Sequence, residues 1–351
     1  MPVVAISVDQ LWRPQPGGIA TYVRGLLRGL NDLDGSWRAV ALAPRGGGDQ
    51  GLSVPVHHGP LGVKALTRVW STWALGVAPG VDVVHATSLA GPFRGAPRNS
   101  VALHDLLWRD EPQASTPAGI RFHERRFRHV LERDDLQLIV TSPPLMERLR
   151  ADGVDARRIH PVRMGVDDGV EAASTPLVAE LLARHGVEGS YFLYAGTREP
   201  RKNLDRLVRA HAVARSLDHA LGPLVFVGPQ GWGDAALGDT IVIGSQPRAL
   251  LKGLVRDASV FAYVPLREGW GLPAVEALSL GTRVVVSSTT PSVEGLGTVV
   301  LVDPHSEESI ATGLLQALHE PDDAAAKQGR RDSVGALTWR ACAEAHVAAW
   351  T

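Results

Sequence analysis

Short β-branched runs alternate with amphipathic stretches in two successive series, and this limits what the chain can fold into more than any other feature. Residues 3–8 form such a run, a Gly/Pro-rich loop follows from Trp12 to Gly18, and apolar residues then recur at helical spacing over 19–30. That order reads as strand, loop, helix. The series continues with strands expected at 38–42, 81–85, 100–104 and 136–141 and helices at 63–77 and 120–132. Strands that alternate with helices pack as a parallel, doubly wound sheet, so an α/β fold is expected.

From about 167 to 190 the punctuation changes to Asp-Asp-Gly, Ser-Thr-Pro and His-Gly around one short helical stretch, where a linker is expected. A second series follows, with strands at 191–195, 224–227, 240–243, 260–264 and 283–287 and helices at 204–215, 248–255 and 273–280. The 351 residues are too many for one ordinary core and suit two such domains. The expected division is 1–167, a linker over 168–190, 191–338, and a terminal helix over 339–351 that could pack back on the first domain.

A formal net charge of −1 offers no field for nucleic acid. The single cysteine, Cys342, excludes an internal disulfide and a thiolate metal cluster, and it reads as a buried thiol in a reducing compartment. No basic leader precedes the first strand, and no apolar run approaches the roughly 20 residues of a membrane span. A cytoplasmic enzyme is expected.

Ligands of open parallel sheets bind beyond the carboxyl ends of the strands, where glycine turns lead into helix N-termini. The richest exit runs from Val264 through Glu268, Gly269, Trp270, Gly271, Leu272 and Pro273 to Glu276. Its glycines let backbone approach a ligand, and the free N–H groups of the helix start suit a diphosphate. Taken singly, Glu268 reads as a solvated loop carboxylate and Glu276 as a dipole partner. Spaced as they are around the glycines, they read as a pair holding two ends of a nucleotide sugar. A second exit carries Gly196, Thr197, Arg198, Arg201 and Lys202 before a helix that Asn203 or Asp205 could cap. Cations there oppose the helix dipole, which suggests a pyrophosphate clamp; a solvated basic turn is the equal alternative.

Glu268-x7-Glu276 around Gly-Trp-Gly-Leu-Pro, preceded by Gly-Thr-Arg-Glu-Pro-Arg-Lys-Asn at 196–203, resembles the C-terminal lobe of the glycosyltransferase family 4 enzymes. Gly17-Gly18-Ile19 with Tyr22, His85-Ala86, His104-Asp105-Leu106, Met164-Gly165-Val166-Asp167 and Leu301-Val302-Asp303-Pro304 extend the resemblance over most of the chain. It departs at Val264-Pro265, where many members have Pro-Ser, at Trp270, commonly Phe, and at Thr197, commonly Arg. The resemblance implies the GT-B fold, two Rossmann-like parallel-sheet domains facing across a cleft. It implies a retaining hexosyltransferase that takes a nucleotide-diphosphate sugar as substrate and needs no cofactor or metal. GDP-mannose is favoured over UDP sugars, and a saccharide or lipid-linked acceptor of surface polysaccharide synthesis is expected.

By the same resemblance Glu276 takes the ribose, Lys202 with Arg198 or Arg201 the pyrophosphate, and Glu268 the sugar hydroxyls, with Thr197, Gly269, Trp270, Gly271 and Leu272 lining the donor. Gly18 N–H faces the phosphate or sugar, and His104 lies near the transferred sugar. His104 as a general base, or as a hydrogen-bonded strand-end histidine, stays open. An epimerase or phosphorylase on the same shell, or a non-catalytic partner subunit, is the alternative. NAD chemistry lacks its G-x-G-x-x-G. Asp32-x-Asp34 reads as a solvated turn rather than a metal motif. Residues 121–129 read as a charged helix face or as a basic surface for anionic lipid.

Overall fold

The computed structural model describes residues 1–13, 17–70, 75–166, 169–231 and 237–351, and it divides into two compact units, Met1–Asp167 with Leu337–Thr351 and Asp168–Ala336. The first unit begins β1 (Val3–Ser7), α1 (Gly17–Asn31), β2 (Arg38–Ala43), β3 (Val56–His58), α2 (Val63–Val69) and β4 (Val83–Ala86). It continues with β5 (Arg98–Leu103), α3 (Leu107–Asp110), α4 (Pro117–Leu131), β6 (Leu136–Val140), α5 (Pro143–Ala151) and β7 (Ile159–Pro161). Among the described residues the strands form one parallel sheet in the order β3-β2-β1-β4-β5-β6-β7. Every residue of β1 and β4 is buried, as expected of strands covered on both faces.

The second unit contains α6 (Thr175–Ala183), β8 (Phe192–Ala195), α7 (Leu204–Leu217), β9 (Leu224–Val227), β10 (Ile241–Gly244) and α8 (Arg248–Asp257). Then come β11 (Val260–Tyr263), α9 (Leu272–Ser279), β12 (Val284–Ser287), β13 (Val300–Val302), α10 (Glu307–His319) and α11 (Ala324–Ser333). Its sheet, also parallel, runs β10-β9-β8-β11-β12-β13. In both sheets the chain winds outward from the first strand, returns, and continues on its other side. The order therefore reverses between β1 and β4 and between β8 and β11, and crevices for ligands open at such reversals.

The last helix, α12 (Trp339–Trp350), returns to the first unit and lies against α1. Gly25 and Gly29, one turn apart on α1, make this possible, because a Cβ on Gly25 would stand 2.1 Å from the Trp339 ring and one on Gly29 2.0 Å from the Trp339 carbonyl oxygen. Arg98 adds a hydrogen bond from its guanidinium to the Trp350 carbonyl, 2.8 Å.

Several expectations change. Residues 169–190 are not a free tether: Val178 and Leu182 of α6 are buried, Gly253 of α8 approaches Val178, and Ala173 N–H donates to Ala249 O. The helix expected over 63–77 is α2, whose end is marked by Trp70 N–H bonding Leu66 O; 71–74 lie outside the described residues, as do Pro14–Pro16 of the first loop and Asp167. The three-residue strands β3, β7 and β13 are too short to show a period. Asn203 sits at the start of α7 in a left-handed conformation, φ 62°, and its amide does not cap the helix. It donates instead to the carbonyls of Val264 and Pro304.

Candidate functional site

The exits of β8 and β11 adjoin the order reversal of the second sheet, and side chains from both meet there. The turn after β8 carries Lys202, 8% exposed, whose ammonium donates to Glu268 Oε1 at 2.5 Å and to the Tyr263 hydroxyl at 2.8 Å. Arg201 reaches the same carboxylate oxygen at 2.7 Å and Glu199 at 2.9 Å. Burial by itself would raise the Glu268 pKa, but Lys202 and Arg201, with a bond from Tyr263, hold it down to about 2. Burial pulls Lys202 below its usual range, and Glu268 opposes that shift. The cations that suggested a vacancy for an anion are thus answered by carboxylates within the chain. The group is still an ionised, partly buried cluster at a strand exit, able to exchange its internal bonds for a ligand's phosphates and hydroxyls.

Arg198 stands apart from this group. Its backbone N–H bonds Pro229 O, and its Nε is buried with no hydrogen-bond partner among the described residues. Thr197 offers its carbonyl to the Tyr194 hydroxyl at 2.9 Å. Past Glu268, Gly269, Trp270, Gly271 and Leu272 are buried as the chain enters α9. Gly271 has φ +101°, and a Cβ there would stand 2.3 Å from Thr290, so glycine is required at this turn. Glu276, one turn into α9, accepts from Arg248 of α8 at 2.6 Å. Sequence reasoning missed Arg248 and Tyr263. Arg248 could have been found as another cation opposing the dipole of its own helix start, and Tyr263 as the polar end of an otherwise apolar strand leading into Glu268.

In the first unit Gly18 is the second residue of α1, and among the described residues nothing lies within 4 Å of a Cβ placed on it. His104 follows β5, and its Nε2 donates to the Thr87 carbonyl at 2.9 Å. Thr87 is tied back to Ser7 of β1 through its N–H and its hydroxyl. Burial lowers the His104 pKa, while the Thr87 bond and Asp105 oppose the shift. Its ring stands edge-on to Tyr22, centroids 5.0 Å apart. The Tyr22 hydroxyl lies 2.7 Å from Nε2 of both His85 and His346.

His346 is fully buried, which lowers its pKa to about 4; the Cys342 carbonyl opposes this and His104 adds to it. Burial, with His346 and His104 nearby, also puts His85 well below the usual range. Below pH 6.5 the unfolded chain takes up protons that the folded chain refuses, so stability falls as pH falls. His346 alone removes roughly 3 kcal/mol between pH 6.5 and 4. Denaturant titrations across this range should show that loss, shallower by about one proton in His346→Gln; a flat profile contradicts it.

Asp32 and Asp34 form a surface turn held by Arg340, which bonds Asp32 O at 3.0 Å and pairs with Asp34 at 3.6 Å. Residues 121–129 lie in α4. There Phe127 and Arg126 are buried, Arg126 donating to the Leu89 and Gly91 carbonyls, and Arg121, Arg125 and Arg128 are exposed. Phe127 and Val130 of α4 pack on the core of the first unit, and the exposed arginines lie on its outer face. Among the described residues no helix is long and apolar enough to cross a membrane.

Two parallel-sheet α/β domains, each with a reversal in strand order, constitute the GT-B fold. The solved structures agree: the Anabaena Alr3699/HepE protein in complex with UDP and glucose superposes with TM-score 0.72 at 14% identity over 99% of this chain and 98% of that one. WaaG, a glycosyltransferase involved in lipopolysaccharide biosynthesis, gives 0.70 at 14% identity over the same shares. At such identity the likeness speaks for the fold alone. The family described as glycosyl transferases group 1 matches residues 183–332, and the glycosyl transferase 4-like domain matches 17–165. The chain belongs to the GT-B glycosyltransferases of the family 4 type. It is 28% identical to O-antigen chain mannosyltransferase B of Escherichia coli over 68% of this chain and 65% of that protein. With the D-inositol 3-phosphate glycosyltransferase of Kineococcus radiotolerans it shares 32% identity over 67% and 60%. The chain thus spans less than two thirds of these relatives' own length.

Proposed function

We propose that the chain is a retaining transferase that moves a hexose from a nucleotide-diphosphate sugar, GDP-mannose ahead of UDP sugars, to a saccharide or lipid-linked acceptor of a cell-surface polysaccharide. The observation that carries this reading is the convergence of Lys202, Arg201 and Glu268 at the order reversal of the second sheet. The mannosyltransferase name of the E. coli relative supports the donor choice, and the glycines before α9 supply backbone N–H groups for the diphosphate.

Departure of the leaving group places negative charge on the diphosphate, which Lys202 and Arg201 stabilise. Glu268, ionised, accepts hydrogen bonds from the sugar hydroxyls, and Glu276 from those of the ribose. In the first unit Gly18 N–H and His104 serve the phosphate and sugar. The departing phosphate oxygen takes the acceptor proton, so no side chain is assigned as base. Because side-chain cations and helix termini carry the charge, transfer should run at full rate in EDTA. Incubating the protein with GDP-mannose or UDP-glucose and a mannoside acceptor should give an elongated product and free nucleotide. Conversion of donor to an isomer without acceptor would establish epimerisation instead, and loss of transfer in EDTA, restored by magnesium, would overturn the metal-free reading.

A further inference from the structure

The hydrogen bonds around Tyr22 can be oriented one by one from their chemistry. His346 Nδ1 lies 2.7 Å from the Cys342 carbonyl, which can only accept, so Nδ1 carries the proton. The ring is fully buried and neutral, which leaves Nε2 as an acceptor, and the Tyr22 hydroxyl must donate to it. The Tyr22 oxygen then accepts from Nε2–H of His85. His85 Nδ1 is therefore unprotonated and accepts from the Ser100 hydroxyl at 2.8 Å, and Ser100 accepts from the Trp350 indole N–H at 2.9 Å. Every donor in the chain has one acceptor, and the direction runs from Trp350 through Ser100, His85 and Tyr22 to His346. Both ends lie on α12.

Tyr22 also stands one turn beyond Gly18 on α1, so the two share a face. Its ring packs against His104, whose Nε2–H is committed to Thr87 O, so Nδ1 of the neutral ring is an acceptor. We propose that Tyr22 is a positioning residue for His104. The chain anchored on the terminal helix fixes the Tyr22 ring, and that ring sets the His104 imidazole so that Nδ1 accepts a hydroxyl of the donor sugar. This rests on the reading of His104 as a sugar contact. It gives α12, more than two hundred residues away in sequence, a part in the geometry of that contact.

Tyr22→Phe keeps the ring and removes the hydroxyl that both histidines hold. With the nucleotide sugar that the wild type turns over, kcat should fall about 10-fold in Tyr22→Phe, with the affinity for the free nucleotide unchanged. In a His104→Ala background the same change should cost less than about 2-fold, because Tyr22 acts through the missing ring. Wild-type activity in His104→Ala would remove the sugar-contact reading itself. A large loss in His104→Ala with none in Tyr22→Phe, or losses that multiply in the double variant, would overturn the positioning role alone. Should Tyr22→Phe fail to fold, ¹⁵N shifts of the wild-type histidines decide: protons on Nε2 of His85 and His104 and on Nδ1 of His346 are expected, and any other set overturns the chain.

Discussion

Lys202→Ala lowers kcat by about 10²–10³-fold, the usual cost of losing one preorganised donor to a developing oxyanion. The ammonium is held in advance: Glu268 and the Tyr263 hydroxyl fix it, and its charge lies 5.0 Å from the Tyr263 ring centroid. Once a bound donor exchanges for the Glu268 bond, the buried ammonium faces the charge that develops on the diphosphate, so its removal falls on the transition state. Arg201 also pairs with Glu268, so the carboxylate keeps one cationic partner when Lys202 is removed. A purely structural ion pair predicts the opposite pattern, lost stability with kcat unchanged. Steady-state kinetics beside a denaturation curve separate the two, and near-full turnover in Lys202→Ala removes the catalytic assignment.

Gly29→Val destabilises the first unit by about 3 kcal/mol or more, at the upper end of what overpacking costs, because the obstacle is backbone. A Cβ at this position would stand 2.0 Å from the Trp339 carbonyl oxygen and 3.1 Å from the Ala343 Cβ, and a carbonyl cannot rotate away as a side chain can. Either α12 lifts from α1 or α1 shifts. Lifting α12 breaks the Trp350–Ser100 and His346–Tyr22 bonds, and shifting α1 moves Gly18 with Tyr22. Activity should therefore decline along with the denaturation midpoint. An unfolding free energy within about 0.5 kcal/mol of wild type would mean that the helices are not held by this contact.

The two parallel sheets were legible in the sequence because buried parallel strands read as apolar runs and their crossovers as amphipathic stretches. What escaped depends on contacts far apart in the chain. Gly25 and Gly29 look like weak points in a helix until Trp339 is seen against them. The place of α12 follows from that pairing and from Tyr22, not from its own periodicity. Residues 169–190 carry loop punctuation, yet α6 buries Val178 and Leu182 within the second unit, a tertiary outcome that local composition does not encode.

The candidate site divides in the same way. The order of Lys202, Glu268 and Glu276 stands in the sequence with its glycines, and the exits of neighbouring strands β8 and β11 bring Lys202 and Glu268 together. Cations at a helix start need an opposing charge, which the sequence shows, but that Glu199 and Glu268 supply it depends on the folded contacts. The choice between Arg198 and Arg201 was open in the sequence because both flank the same turn; only Arg201 reaches Glu268. Asn203 or Asp205 was expected to cap α7, but the Asn203 amide makes no cap bond and donates to the carbonyls of Val264 and Pro304.

Calorimetric titration of GDP, UDP, ADP and dTDP into the wild type and Glu276→Ala, without added metal, tests the nucleotide site most directly. One nucleotide, GDP first among them, should bind the wild type and bind the variant at least about 10-fold more weakly, the loss expected when a carboxylate that accepts ribose hydroxyls is removed. Binding of none of the four, or equal affinity in both proteins, would contradict the assignment of the second unit as the donor site.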